Sequence, residues 1–170
     1  MKYLFLLLLF AIATPSLSAQ NKPLRKFIQE HRKGEENVAF TVPGFLVGLA
    51  SEIGMLAAEE EEEKLAFQLA QEFGTIRVLT FQTSDFNTKS DIKKLLNALE
   101  NDHDYERWAS VRGPEGEEVQ LSVVFRKEEI REIVTIVSEP DENRTFLVHA
   151  KTDLTAEELG EIVNRLIAAD

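Results

Sequence analysis

The chain has 170 residues, 44% of them hydrophobic, with 30 acidic side chains against 19 Lys and Arg, a formal net charge of −11 and no cysteine. That length and apolar content suit one domain around one core. The acidic balance is repelled by phosphate backbones and anionic headgroups, and the lack of thiols excludes disulfides, thiolate metal sites, a catalytic cysteine and lipid attachment to cysteine.

The opening stretch MKYLFLLLLFAIATPSLSAQ sets Lys2 before an apolar run from Tyr3 to Ala13, followed by Pro15 and small residues. This is the layout of a secretory signal peptide, whose apolar part of about 7–15 residues is too short to cross a bilayer. Cleavage near Ala19 is expected, with residues 1–19 removed and 20–170 forming a single domain. The mature chain, which loses Lys2, becomes one unit more acidic. It holds no later apolar run of membrane-spanning length.

PLRKFIQEHRK reads as a short amphipathic helix with Leu24, Phe27, Ile28 and His31 on one side, Pro23 in the first turn and Gly34 as the stop. NVAFTV is β-prone and closes at Pro43-Gly44. FLVGLASEIGMLA is apolar almost all the way round, the pattern of a buried helix, so Phe45, Leu46, Leu49, Ile53 and Leu56 are expected in the core. Glu59, Glu60, Glu61, Glu62 and Glu63 then lead into KLAFQLAQEFG, where Leu65, Phe67, Leu69, Ala70 and Phe73 have helical spacing. Carboxylates near a helix start are favoured by the positive end of its dipole, by roughly 0.3–1 kcal/mol each, and oppose one another. A solvated helix entry is expected, with a partner-binding acidic patch as the alternative. No metal is expected, because a calcium loop alternates its oxygen ligands around a Gly.

TIRVLTFQ is apolar on both faces and reads as an interior strand. TKSDIKKLLNALEND reads as a helix capped near Ser90 or Asp91, with Ile92, Leu95, Leu96 and Leu99 inward and Lys89, Lys93 and Lys94 in water. YERWASVRG and EEVQLSVVF flank the turn Pro114-Glu115-Gly116 and form a hairpin, with Val119, Leu121, Val123 and Phe125 assigned to the buried face of the second strand. EIREIVTIVS and RTFLVHAK complete a four-stranded meander. Thr155 and Glu158 make a capping box for a last helix with the apolar stripe Leu159, Ile162, Val163 and Leu166.

Catalytic motifs are scarce. His31, His103 and His149 are far apart, and metal sites need ligands at matched positions. Asp102-His103-Asp104 is read as a turn, and it is the best of the local candidates because an Asp could orient the imidazole. Ser51, Ser90, Ser110 and Ser122 lack a nucleophile-elbow setting. Asn143-Arg144-Thr145 matches a glycosylation sequon inside a tight turn, and no modification is assigned. Tyr105 and Trp108 offer a possible aromatic contact surface, although core or strand-edge roles are commoner for such residues. No cofactor is implied.

Across residues 24–167, FLVGLASEIGMLA, TIRVLTF and the stretch from DYERWASVRG to TAEELGEIV resemble the family catalogued as domain of unknown function 4252. Tyr105, Glu132 and Asp153 are among the residues that carry the likeness. The resemblance implies a small exported bacterial envelope protein without established enzyme activity, and it supplies no catalytic residues. Members often carry a lipid anchor, which this cysteine-free sequence cannot attach in the usual way.

The expected fold is α+β: a mixed, mostly antiparallel sheet with a C-terminal four-stranded meander and helices packed on it. The expected function is a periplasmic or extracellular protein-interaction module binding another envelope protein. The alternatives are a carboxylate-dependent envelope hydrolase and a small-molecule or metal-responsive sensor. Two inward carboxylates in a pocket would favour the hydrolase, whereas a flat apolar patch or a free strand edge would favour the module.

Overall fold

A computed structural model of the protein describes residues 22–57, 70–114 and 116–161. The expected signal peptide, Glu59 to Glu63, Leu65, Phe67 and Leu69 of the expected helix KLAFQLAQEFG, and Ile162, Val163 and Leu166 lie outside them, and Phe73 at the end of that segment opens a strand instead.

Chain order is α1 (Lys22–His31), β1 (Val38–Val42), α2 (Gly44–Ala57), β2 (Phe73–Gln82), a single 3-10 turn (Thr83–Asp85), α3 (Thr88–Asp102), β3 (Tyr105–Arg112), β4 (Glu118–Arg126), β5 (Glu129–Glu139) and β6 (Arg144–Thr152), with helical residues again at 156–161. The six strands make one sheet in the order β1-β2-β6-β5-β4-β3, antiparallel at every pairing. Strands β3 to β6 form the anticipated meander. The fold is α+β, and β2 is an interior strand between β1 and β6.

Strand alternation assigns Leu79 and Phe81, Val134 and Ile136, and Leu147 to one face. There they meet Leu24 and Phe27 of α1 and Ile92, Leu95, Leu96 and Leu99 of α3. Leu24, Leu79, Leu99 and Leu147 are fully buried, each stabilising the fold by about 1.5–3 kcal/mol in transfer terms. A smaller cluster on the opposite face joins Val123, Ile130 and Ile133 to Leu154 and Leu159. The capping box forms as read: the Thr155 amide donates to Glu158 Oε2 at 2.7 Å, and the Glu158 amide donates to Thr155 Oγ1 at 3.3 Å. The Thr155 amide, and with it the Thr155 hydroxyl donating to the same oxygen at 2.8 Å, hold the exposed Glu158 carboxyl below its usual range.

Three further expectations need correction. Phe45, Leu46, Leu49, Ile53 and Leu56 of α2 are not core residues: their exposures are 74, 43, 52, 59 and 90%. Among the residues of that helix whose burial is described, only Val47 and Ser51 are buried. An all-round apolar helix signals that something covers it, and among the described residues the sheet takes only one side. In β4, Val123 is fully buried as read, with Leu121 and Phe125 packed half-buried against its cluster, but Ser122 and Val124 are buried on the helix-covered face as well. Both faces of this strand are covered there, so its alternation does not separate a core face from a solvent face. Helix α3 starts at Thr88, with Asn87 in the cap position, rather than near Ser90 or Asp91.

The β3–β4 turn closes through the Gly113 amide on the Glu117 carbonyl at 2.8 Å, with Gly116 at φ +91°, a conformation that favours glycine. Asn143, of the sequon, also sits at positive φ, and its side chain is consumed by the fold. Its Oδ1 accepts from the Ser84 amide and its Nδ2 donates to Ser84 Oγ.

Candidate functional site

The chemistry-bearing side chains fall into three places. The first is a polar relay in the otherwise apolar sheet face under α1 and α3. Arg77 of β2, Glu132 of β5 and His149 of β6 occupy inward positions, with Tyr105 at the start of β3. His149 lies opposite Val134 in the register and reaches Glu132 diagonally, while Tyr105 reaches it across Val124. The Tyr105 hydroxyl donates to Glu132 Oε2 at 2.6 Å, and His149 Nε2 lies 2.9 Å from the same oxygen. Arg77 Nη1 lies 3.2 Å from His149 Nδ1. A guanidinium can only donate, so Nδ1 accepts and Nε2 carries the hydrogen that goes to Glu132. The relay therefore runs Arg77 to His149 to Glu132, with Tyr105 closing on the same carboxylate.

Burial pushes the Glu132 carboxyl up, but the hydrogen bonds from His149 and Tyr105, with the charge of Lys151, outweigh it and hold the group below its ordinary value. Burial and then the hydrogen bond to Glu132 drive the Tyr105 phenol far above its usual range, so it stays protonated as a donor. The arrangement ties four strands together and contains one carboxylate. A hydrolytic acid and base pair would need two.

Of the sequence-derived candidates, Tyr105 is thus a buried relay member. Trp108, 38% exposed on the edge strand β3, packs its ring against Phe125 at a centroid distance of 5.8 Å. The two do not combine into one exposed aromatic surface. His103 ends α3, its amide bonded to the Leu99 carbonyl, and Asp104 turns the chain at φ 58°, so Asp-His-Asp is a helix stop. His31 is buried in an aromatic cage, stacked on Phe27 at 3.9 Å beside Phe81 and Phe86, with its Nδ1 2.9 Å from the Phe27 carbonyl. No cluster of metal-ligating side chains occurs among the described residues.

The second place is the outer side of α2. Phe45, Leu49, Ile53 and Leu56 recur at spacings of four, four and three and share one stripe, with Leu46 beside it. Val38 and Phe40 are also exposed on the adjoining edge strand β1. The third is a groove of about 710 Å³ between α3 and the β3–β4 hairpin, with Lys93 and Arg112 on its two walls. None of the relay residues lines it.

The class the structure defines is a one-sheet α+β domain with an apolar helix presented to solvent and a part-buried polar relay on the helix-covered face. Residues 31–162 match the family described as Domain of unknown function (DUF4252), and the chain belongs to that family. No curated protein matches the chain. Among the described residues, no helix is long and apolar enough to cross a membrane.

Proposed function

We infer that the protein is a non-enzymatic interaction module of the bacterial envelope, exported by its N-terminal segment, and that α2 is the surface it offers to another envelope protein. The observation that carries this is the stripe of Phe45, Leu49, Ile53 and Leu56, each more than half exposed. With Leu46 these side chains leave on the order of 600 Å² of apolar surface in water, the upper end for the largest patch on a typical monomer. A helix presenting anchors one turn apart is suited to a hydrophobic groove on a partner. β1 and β3, the edges of the sheet among the described residues, suit the same reading, and the single inward carboxylate of the relay favours it over hydrolysis.

The test is in-cell crosslinking in the native bacterium, followed by fractionation and mass spectrometry, with the wild-type protein beside Leu49→Glu/Ile53→Glu. The expected result is one saturable partner in the envelope fraction that the double variant loses while remaining folded. Recovery of the protein in the cytoplasm, or a partner retained by the variant, would refute the reading.

A further inference from the structure

We propose that the groove between α3 and the β3–β4 hairpin binds a small amphiphilic anion: a carboxylate or phosphate head on a short apolar body. This site is separate from α2 and does not depend on the interaction reading. Its volume of about 710 Å³ lies within the roughly 300–1,000 Å³ of small-ligand clefts.

The charge of the lining is opposite to that of the chain. Lys89 and Lys93 from α3 and Arg107 and Arg112 from β3 face the groove, where Glu118 supplies the one lining carboxylate among the described residues. Arg112 lies 3.5 Å from Glu118, and Arg107 is held at 2.8 Å by Glu100 on α3. Lys89 and Lys93 make no ion pair among the described residues. They stand one helical turn apart, where like charges repel. In a protein of net charge −11, two unpaired, mutually repelling ammonium groups facing one cleft provide a local attraction for an anion that the global field does not.

The start of α3 adds donors. Asn87 sits at the cap position but its side chain makes no capping bond, and the Thr88 hydroxyl donates to the Thr83 carbonyl at 2.7 Å. The first-turn amides beside Thr88 and Lys89 therefore lack an N-cap side-chain acceptor, at the positive end of the helix dipole. Both residues line the groove. Its remaining walls explain the apolar body: Ile92 and Leu96 come from the inner side of α3, and Pro140 stands at the β5–β6 turn. A head held by Lys89, Lys93 and the helix start would lay its tail along Ile92 and Leu96.

Isothermal titration of the protein with hexyl phosphate, hexanoate, inorganic phosphate and 1-hexanol tests this. At least one of the two amphiphiles should bind ten times or more tighter than inorganic phosphate and 1-hexanol. Lys89→Glu/Lys93→Glu, both exposed positions, should weaken that binding at least tenfold. Lys26→Glu/Lys22→Glu on α1 makes the same change in net charge away from the groove and should leave it within twofold. A preference for hexyl phosphate or for hexanoate identifies the head group, and either upholds the site. Absence of binding by both amphiphiles at millimolar concentration overturns it. So does equal binding of inorganic phosphate, or equal loss in the α1 variant.

Discussion

Glu132→Gln keeps the size of the side chain and removes the charge on which the relay converges. In the wild type, one carboxylate oxygen accepts from the Tyr105 hydroxyl at 2.6 Å and from His149 Nε2 at 2.9 Å. A hydrogen bond to a charged group contributes about 1.5–3 kcal/mol. An amide can accept through its oxygen, but neither bond is then charge-assisted. Weakening both bonds sums to about 3 kcal/mol at neutral pH. Urea unfolding reads this as a midpoint lowered by about 1–2 M, with a typical slope for a domain of this size. The pH dependence provides a sharper check. Because the folded Glu132 carboxyl titrates below its unfolded value, its contribution is fully present above the unfolded value of about 4.3 and is lost as pH falls through the folded one. The gap between wild type and variant should therefore hold steady from about pH 7 to pH 5 and close below about pH 4. A gap under about 0.5 kcal/mol at pH 7, within the range of ordinary surface substitutions, or one that widens on acidification, would show that the relay does not stabilise the fold.

Tyr105→Phe should cost about 1.5–3 kcal/mol, and with Glu132→Gln the double variant should lose clearly less than the sum of the two, measured by a double-mutant cycle in urea. Strict additivity would place Tyr105 and Glu132 in separate networks. Leu99→Ala, at a fully buried position under α3, should lose about 2–5 kcal/mol by thermal or urea unfolding. Leu56→Lys, 90% exposed on α2, should change stability by less than about 0.5 kcal/mol. A large loss there would mean that α2 is covered within the monomer. Thr155→Ala removes the capping box and should cost about 1 kcal/mol in the same assay.

Much of the fold is legible in the sequence because strands and helices carry different periods. The inward quartet of α3, the β3–β4 hairpin, the meander and the Thr155–Glu158 box all follow from spacing and local chemistry. The polar relay is harder to see. Glu132 falls in phase with Val134 and Ile136, and His149 in phase with Thr145 and Leu147, so a polar residue inside each apolar phase was the available signal. Their meeting depends on register, which brings His149 opposite Val134 and leaves Glu132 on the diagonal. Spacing along the chain does not encode that. Helix α2 failed for another reason: apolarity on all sides says that a surface prefers to leave water, without saying which molecule covers it. The groove was out of reach because Lys89 and Lys93 looked like a solvated face until β3 placed Arg107 and Arg112 across from them.

The sheet order also sets a sequence of events in time. Strands β3 to β6 pair with their chain neighbours, but β2 reaches β6 by pairing Gln82 with Arg144, closing a loop of about sixty residues against about five for the β5–β6 turn. That difference costs about 2 kcal/mol more in chain entropy. The meander is expected to assemble first, presenting β6 as a temporary edge, with β2 inserted late and β1 added outside it. Pulsed hydrogen exchange during refolding should then protect the amides of β4 and β5 before those of β2, and simultaneous protection would mean that the sheet closes in one step. Until β2 arrives, the β6 edge is open to any strand of matching pattern, including the β2 of a neighbouring chain, so strand exchange between nascent molecules is the hazard this topology carries.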